Sequence, residues 1–193
     1  GTIMLNLDIG GQNNRNDQAG KWKIVDLHDG ADYKVNLENS SLPLADATVD
    51  NIYSSHCIEH IEPNKLRDVF SEMYRVMKPG GKIRLVVPSF RKGVFYYFFA
   101  PRILQKRLMP RINSNTPTTK MSYLSAWFYT ETNKLNGTPG HKSAWDYELL
   151  KTYLREVGFR RIQKKSLRNC SEVFKGKDNP GYRKFSLYVE AEK

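Results

Sequence analysis

The residues from Val49 to Pro88 constrain the fold more than any other part of this chain. They begin with an apolar run, Val49, Ile52 and Tyr53, which stops at the polar cluster Ser54-Ser55-His56. An amphipathic segment follows, with Leu66, Val69, Phe70, Met73 and Met77 at helical spacing. Pro63 suits its first turn, and Lys78-Pro79-Gly80-Gly81 is expected to end it sharply. Lys82 to Pro88 then reads as a short β-branched strand closed by proline. A strand–helix–strand unit of this kind makes a right-handed crossover between parallel strands. Ligands in such sheets sit beyond the carboxyl ends of the strands. A pocket is therefore expected where the end of the first strand, Ser54 to His60, meets the end of the second, Pro88 to Arg91.

The segments before this unit repeat the pattern. Ile3 to Ile9 reads as a buried strand that runs into Gly10-Gly11, a turn whose exposed N–H groups suit an anion or polar ligand. Trp22 to Leu27 reads as a second strand with Asp26 near its end. An acid about 20 residues beyond a glycine turn is the type that grips the vicinal hydroxyls of a ribose. Ala31 to Leu37 fits a third, edge-type strand. After the central unit, Arg91 to Lys120 holds seven basic residues and no acid. It also holds Phe95 to Phe99, an unbroken aromatic run. This reads as an insertion after the fifth strand, ending near Ser143. The aromatics and bases either bind an acceptor or pack the insertion onto the sheet beneath solvated charges. Regular structure resumes with a helix opened by a capping box, Ser143 and Asp146, and closed by Gly158. A basic-edged strand, Phe159 to Ser166, and an alternating strand, Arg183 to Ala191, complete the chain.

Four of these pieces resemble the class I S-adenosylmethionine-dependent methyltransferases, within them the small bacterial and phage-type group with a short first crossover. Leu7-Asp8-Ile9-Gly10-Gly11 is similar to the first motif, and Val25-Asp26 to the acid that ends the second strand. Leu42-Pro43-Leu44, Val49 to His56 and Glu59-His60 are similar to the third and fourth motifs. Tyr74 to Gly81 is similar to the helix-to-strand turn. The resemblance implies one α/β domain over residues 1–193, with the insertion at about 91–143. Its sheet would be Rossmann-like, seven-stranded and mostly parallel, with an antiparallel last strand. It implies S-adenosylmethionine as cofactor, bound by Asp8, Gly10, Gly11, Asp26, Leu27, Asn36, Leu37, Ser55 and His56. The sequence departs from the family at Gln12, where a further glycine is usual, and at Asn36, where an acid is usual.

The expected activity is transfer of a methyl group to a small or carbohydrate-type acceptor, at oxygen. A hydroxyl acceptor must lose a proton, and histidine is the natural base near neutral pH. His141, where the insertion rejoins the core, is the first candidate, and His60 the second. Two readings of other classes stay open: a cofactor-binding protein without catalysis, and a nicotinamide-dependent oxidoreductase.

The formal charge of +11 favours acidic partners such as a phosphorylated or sugar-linked acceptor, with nucleic acid or an anionic membrane surface as less favoured alternatives. Cys57 and Cys170 have no CxxC or Cys/His ligand spacing, so no metal is expected. Two lone thiols, no signal peptide and no apolar run of membrane-spanning length lead to the expectation of a cytoplasmic protein.

Overall fold

The computed structural model describes residues 4–11, 21–101, 103–104, 117–130 and 139–193. Seven strands form one sheet: β1 (Asn6–Ile9), β2 (Trp22–Asp26), β3 (Tyr33–Lys34), β4 (Val49–Ser55), β5 (Met77–Pro88), β6 (Arg160–Lys165) and β7 (Ser186–Glu192). Their order across the sheet is β3-β2-β1-β4-β5-β7-β6. The pairs from β3 through β5 are parallel, and β7 runs antiparallel to β5 and β6. This is the expected Rossmann-like α/β sheet with an antiparallel last strand. The chain order reverses between β1 and β4, which is where such sheets open a crevice for a ligand.

Helix α1 (Leu66–Val76) returns the chain from β4 to β5. Its apolar stripe is fully covered: Leu66, Val69, Phe70, Met73 and Val76 are buried. Helices α2 (Phe90–Phe99) and α3 (Lys120–Phe128) lie in the insertion, and α4 (Tyr147–Val157) leads to β6. The sheet's first face packs Leu7, Ile9, Ile52, Ile83, Leu85, Val87 and Val189 against α1 and α4 in one continuous core. Among the described residues, no helix is long and apolar enough to cross a membrane.

Several boundaries differ from expectation, each for a physical reason. Lys78-Pro79-Gly80-Gly81 does not end the helix. Val76 does, and Met77 already pairs with Val49. The register then shifts so that Asn51 pairs with Lys82, and the four-residue stretch is an outward bulge within a long strand. The C-terminal residue ties it down, with Gly80 N–H donating to Lys193 O at 2.9 Å and Lys193 N–H to Gly81 O at 3.0 Å. The α4 cap is Asp146 itself, whose carboxylate accepts from Leu149 N–H at 2.9 Å; Ser143 makes no capping bond. Gly158 closes this helix in the left-handed region at φ +114°, as expected. The third strand shrinks to Tyr33–Lys34, because beyond it the Asn36 carbonyl turns to accept from Asn39 and Ser40 N–H. Ile3, the first residue of the expected first strand, lies outside the described residues, as do Gln12 and most of the basic run at 102–116.

The second face of the sheet is polar, and no sequence pattern announced its cover. Asp8, Tyr53, Arg84, Tyr188 and Glu190 project there, and the segment between β6 and β7 lies over them. Phe174 from that segment packs beside the rings of Trp22 and Tyr53. Arg84 is fully buried and bonds Asp178 at 2.5 Å and Glu190 at 2.7 Å. It also donates to Ser166 O at 2.9 Å. Lys177, also fully buried, pairs with Asp8 at 2.5 Å and lies over the Trp22 and Tyr53 rings. Buried charges persist only when paired and hydrogen-bonded, and here each has its counter-ion.

Candidate active site

The registers line up the carboxyl ends of three strands. Ile9 lies opposite Val25 on one side and Ser54 on the other, and Ser54 lies opposite Leu85. The residues that follow, Gly10, Asp26 and Ser55-His56, therefore share one edge. Backbone bonds continue the pairing past the strands: Gly10 N–H to Val25 O at 2.8 Å, Val35 N–H to Asp26 O at 2.9 Å, His56 N–H to Val86 O at 2.8 Å. Over this edge opens a cleft of about 730 Å³, counting its mouth.

Gly10 forms the cleft floor beneath Cys57 and has φ +75°. A Cβ there would lie 2.4 Å from Cys57 Cβ, so both the backbone conformation and the space demand glycine. Asp26 sits on the wall; its Oδ1 accepts from Leu27 N–H at 2.6 Å, and His28 Nε2 lies 3.8 Å away. Leu27, Asn36, Leu37, His56 and His60 also line the cleft. The Asn36 amide oxygen already accepts from Glu38 N–H at 3.0 Å, which fixes the turn there. Val25, Val35 and Ile61 supply apolar wall that the sequence reading passed over. Asp8, Gly11 and Ser55 do not line it. The Asp8 carboxylate turns instead to Lys177, beneath Gly11. Burial raises the Asp8 carboxyl above its usual range despite the Lys177 ammonium. Cys57 is no nucleophile, since burial pushes its thiol up to about 12.

The imidazoles gather on one side. His56 adopts a left-handed φ of +51°, which turns its ring back over the sheet edge. Its Nε2 pairs with Ser186 Oγ at 2.8 Å, and its Nδ1 lies 3.1 Å from Glu59 Oε1. His60 follows Glu59 on the short 3-10 turn Ile58–His60 and bonds Pro139 O through Nδ1 at 2.7 Å. His141 bonds Trp127 O through Nδ1 at 2.8 Å. The two rings meet edge to face, centroids 4.7 Å apart. Lys142 holds this return of the insertion in place. Its N–H donates to Glu59 O at 2.8 Å, and its Nζ pairs with Glu38 and Glu62. The structure thus brings the two expected histidines together and adds Glu59, a fully buried acid that the sequence placed in the Glu59-His60 motif without a role of its own.

The aromatic run is divided in its roles. Tyr96 packs on Trp127 and donates to Lys184 O at 2.8 Å. Phe95, Phe98 and Phe99 are 57%, 65% and 72% exposed, so the packing reading does not hold for them.

Residues 12–85 match a family described as a methyltransferase domain. Solved structures agree in fold: a SAM-dependent methyltransferase from Archaeoglobus fulgidus is 18% identical with a TM-score of 0.57, over 98% of this chain and 86% of that one. Over residues 12–85 the chain matches a methyltransferase-domain family, and its fold is that of these solved S-adenosylmethionine-dependent methyltransferases. An S-adenosylmethionine-dependent methyltransferase from Mesorhizobium loti is similar to it at 15% identity and TM-score 0.54, covering 98% of this chain and 91% of that one. So is Burkholderia thailandensis 1,6-didemethyltoxoflavin-N1-methyltransferase, solved with 1,6-didemethyltoxoflavin and S-adenosylhomocysteine bound. That match has 15% identity and TM-score 0.53, over 98% of this chain and 70% of that one. No curated protein matches the sequence.

The cleft suits S-adenosylmethionine, the cofactor implied by the resemblance, on its own features. It has a glycine packed against Cys57 too closely for any side chain, a carboxylate suited to a ribose diol, and apolar wall suited to a purine.

Proposed function

We propose that this methyltransferase modifies a small hydroxyl acceptor that carries an anionic group, such as a phosphate or sugar phosphate. When bound, S-adenosylmethionine supplies the electrophilic methyl group. In this reading Asp26 holds the ribose hydroxyls, with charge-assisted hydrogen bonds that a neutral side chain makes less well. Gly10 lets the backbone approach, Leu27, Asn36 and Leu37 border the base, and His56 borders the methionine side. Asp8 and Gly11 act from below by fixing the turn, and Ser55 by placing His56. Because the transfer is an in-line displacement, most of the rate comes from holding the reacting atoms in line. The acceptor's proton leaves on the side where Glu59, His60 and His141 gather. Burial lowers His141 from its ordinary range, which favours its neutral imidazole.

One observation supports the anionic acceptor. A groove beside the cleft is lined by Arg91, Lys92, Lys164, Lys165, Arg168 and Arg183 and by no carboxylate. Ser186, which lines the groove, bonds His56, which lines the cleft. Burial, and then the charges of Lys164 and Arg183, pull Lys92 below the ordinary ammonium range. Mutual repulsion of this kind is relieved by an anion.

The test is methyl transfer from labelled S-adenosylmethionine to matched pairs of acceptors, each hydroxyl compound with and without a phosphate. Phosphorylated members are expected to be preferred, and Lys164→Glu with Arg183→Glu is expected to raise their KM while leaving neutral acceptors unchanged. Equal use of both members of each pair, unaffected by the charge reversal, would refute the reading.

A further inference from the structure

Glu59 poses a question that the methyl-transfer chemistry does not answer. It is fully buried beside the cleft, yet Oε2 has no hydrogen-bond partner. Oε1 has only the 3.1 Å approach of His56 Nδ1, which is too poorly aligned to count as a hydrogen bond. A buried carboxylate in this condition is costly, because its lost hydration is not made good by a partner. The side chains that face it are three imidazoles, His56, His60 and His141, not a lysine or arginine. Ligand atoms of Glu59, His60 and His141 all lie within 4.8 Å of one another, and among the described residues no other such cluster of three occurs.

The tautomers of the two rings are decided by their partners. A carbonyl oxygen only accepts, so Nδ1 of His60 donates to Pro139 O and Nδ1 of His141 donates to Trp127 O. Both rings are therefore left with Nε2 as the lone-pair nitrogen. Imidazoles that hold a metal ion show this pattern, with the second nitrogen donating to a backbone carbonyl. A ligating carboxylate is likewise steadied by an outer partner; His56, bonded to Ser186, lies 3.1 Å from Glu59 Oε1 but is misaligned for that bond.

We propose that Glu59, His60 and His141 form a binding site for one divalent first-row transition-metal ion, of which Zn²⁺ is the representative. Two imidazoles and one carboxylate suit Zn²⁺ and its neighbours better than Mg²⁺ or Ca²⁺, which take oxygen ligands. Three protein ligands leave at least one coordination position open. His60 also lines the cleft, so the ion stands at the wall between cofactor and insertion. Resting on the function proposed above, an ion held there would take the acceptor's hydroxyl at its open position and lower its pKa; the proton would pass to solvent, the oxygen would take the methyl as its bond to the sulfonium sulfur breaks, and the histidines would serve as ligands rather than as bases. No ligand spacing is visible in the sequence, because Glu59-His60 precedes α1 and His141 stands at the far end of the insertion. The fold alone assembles the set, against the expectation of no metal.

The experiment uses the full chain without a polyhistidine tag, stripped with chelator. It is titrated with ZnCl₂ by calorimetry and with CoCl₂ by visible absorption, and separately with S-adenosylhomocysteine. One equivalent of Zn²⁺ per chain and ligand-field bands from Co²⁺ are expected. Glu59→Gln and His141→Ala should each weaken Zn²⁺ binding by about 100-fold or more, with Tm confirming that the variants fold. Absence of stoichiometric Zn²⁺ binding by the unaltered chain would overturn the site, and this arm needs no variant. Undiminished binding in both folded variants would overturn it too. S-adenosylhomocysteine binding without Zn²⁺ binding removes the metal and leaves the proposed function. Zn²⁺ binding without S-adenosylhomocysteine binding keeps the metal site and removes the function on which its role was built.

Discussion

Replacing Gly10 by alanine should damage the cleft floor in two separable ways. The first is conformational. Gly10 has φ +75°, and a non-glycine residue in that region costs about 1–2 kcal/mol. The second is steric. The new Cβ would stand 2.4 Å from Cys57 Cβ and 2.5 Å from its Sγ, where carbon atoms prefer about 3.5–4.0 Å. Overpacking of this kind costs about 1–3 kcal/mol. Gly10→Ala is therefore expected to lose about 2–5 kcal/mol, a Tm fall on the order of 10 °C for a chain of this size. The steric part belongs to Cys57 and can be removed from the other side. Cys57→Ala deletes only the sulfur and leaves the shorter contact, so it should restore little. Cys57→Gly, which costs about 1 kcal/mol by itself, should recover most of the 1–3 kcal/mol in the Gly10→Ala background and leave the φ cost behind. Urea unfolding of the four-member cycle measures this as a coupling energy. Additivity of Gly10→Ala and Cys57→Gly within about 0.5 kcal/mol would refute the contact argument.

Other outcomes follow from the same physics. Arg84→Met leaves Asp178 and Glu190 buried without their cation and should cost about 3–5 kcal/mol in urea unfolding. A loss below 1 kcal/mol would mean that the network is not formed. The Arg75 guanidinium, which bonds Glu72 at 2.7 Å, holds the Glu72 carboxyl below its usual range. A depressed folded pKa contributes stability above the unfolded value of about 4.3, and that contribution is lost as pH falls through the folded value. Glu72→Gln should therefore cost up to about 1 kcal/mol at pH 7 and nothing near pH 2, a difference that acid-titrated unfolding would detect. Asp146→Ala removes the α4 cap and should cost about 0.5–2 kcal/mol, whereas Ser143→Ala should leave helix stability unchanged.

What the sequence disclosed depended on how local the cause was. The β4–α1–β5 unit, Gly10, Asp26 and Gly158 were legible, because a periodic stripe, a glycine turn and a helix stop are written in neighbouring residues. The bulge at 78–81 was not. Its bonds go to Lys193 at the far end of the chain, and a Lys-Pro-Gly-Gly stretch reads equally as a helix stop. The polar second face was half legible. Asp8 and Arg84 stand inside apolar strand runs, where a charge must find a partner, but nothing in sequence identified Lys177, Asp178 or Glu190. Glu59 was hidden for the same reason. Its histidine neighbours are assembled by the return of the insertion, and only the fold shows that its carboxylate is buried.

The central claim is that the edge shared by β1, β2 and β4 holds an adenosyl sulfonium by its ribose through Asp26. Calorimetry with S-adenosylhomocysteine on the full chain, beside Asp26→Ala, tests this most directly. Two hydrogen bonds to a carboxylate carry about 2–4 kcal/mol between them, so the substitution should weaken binding about 30- to 1000-fold while leaving the far-ultraviolet spectrum intact. Binding of equal strength in both proteins, or none in the unaltered chain, would contradict the account.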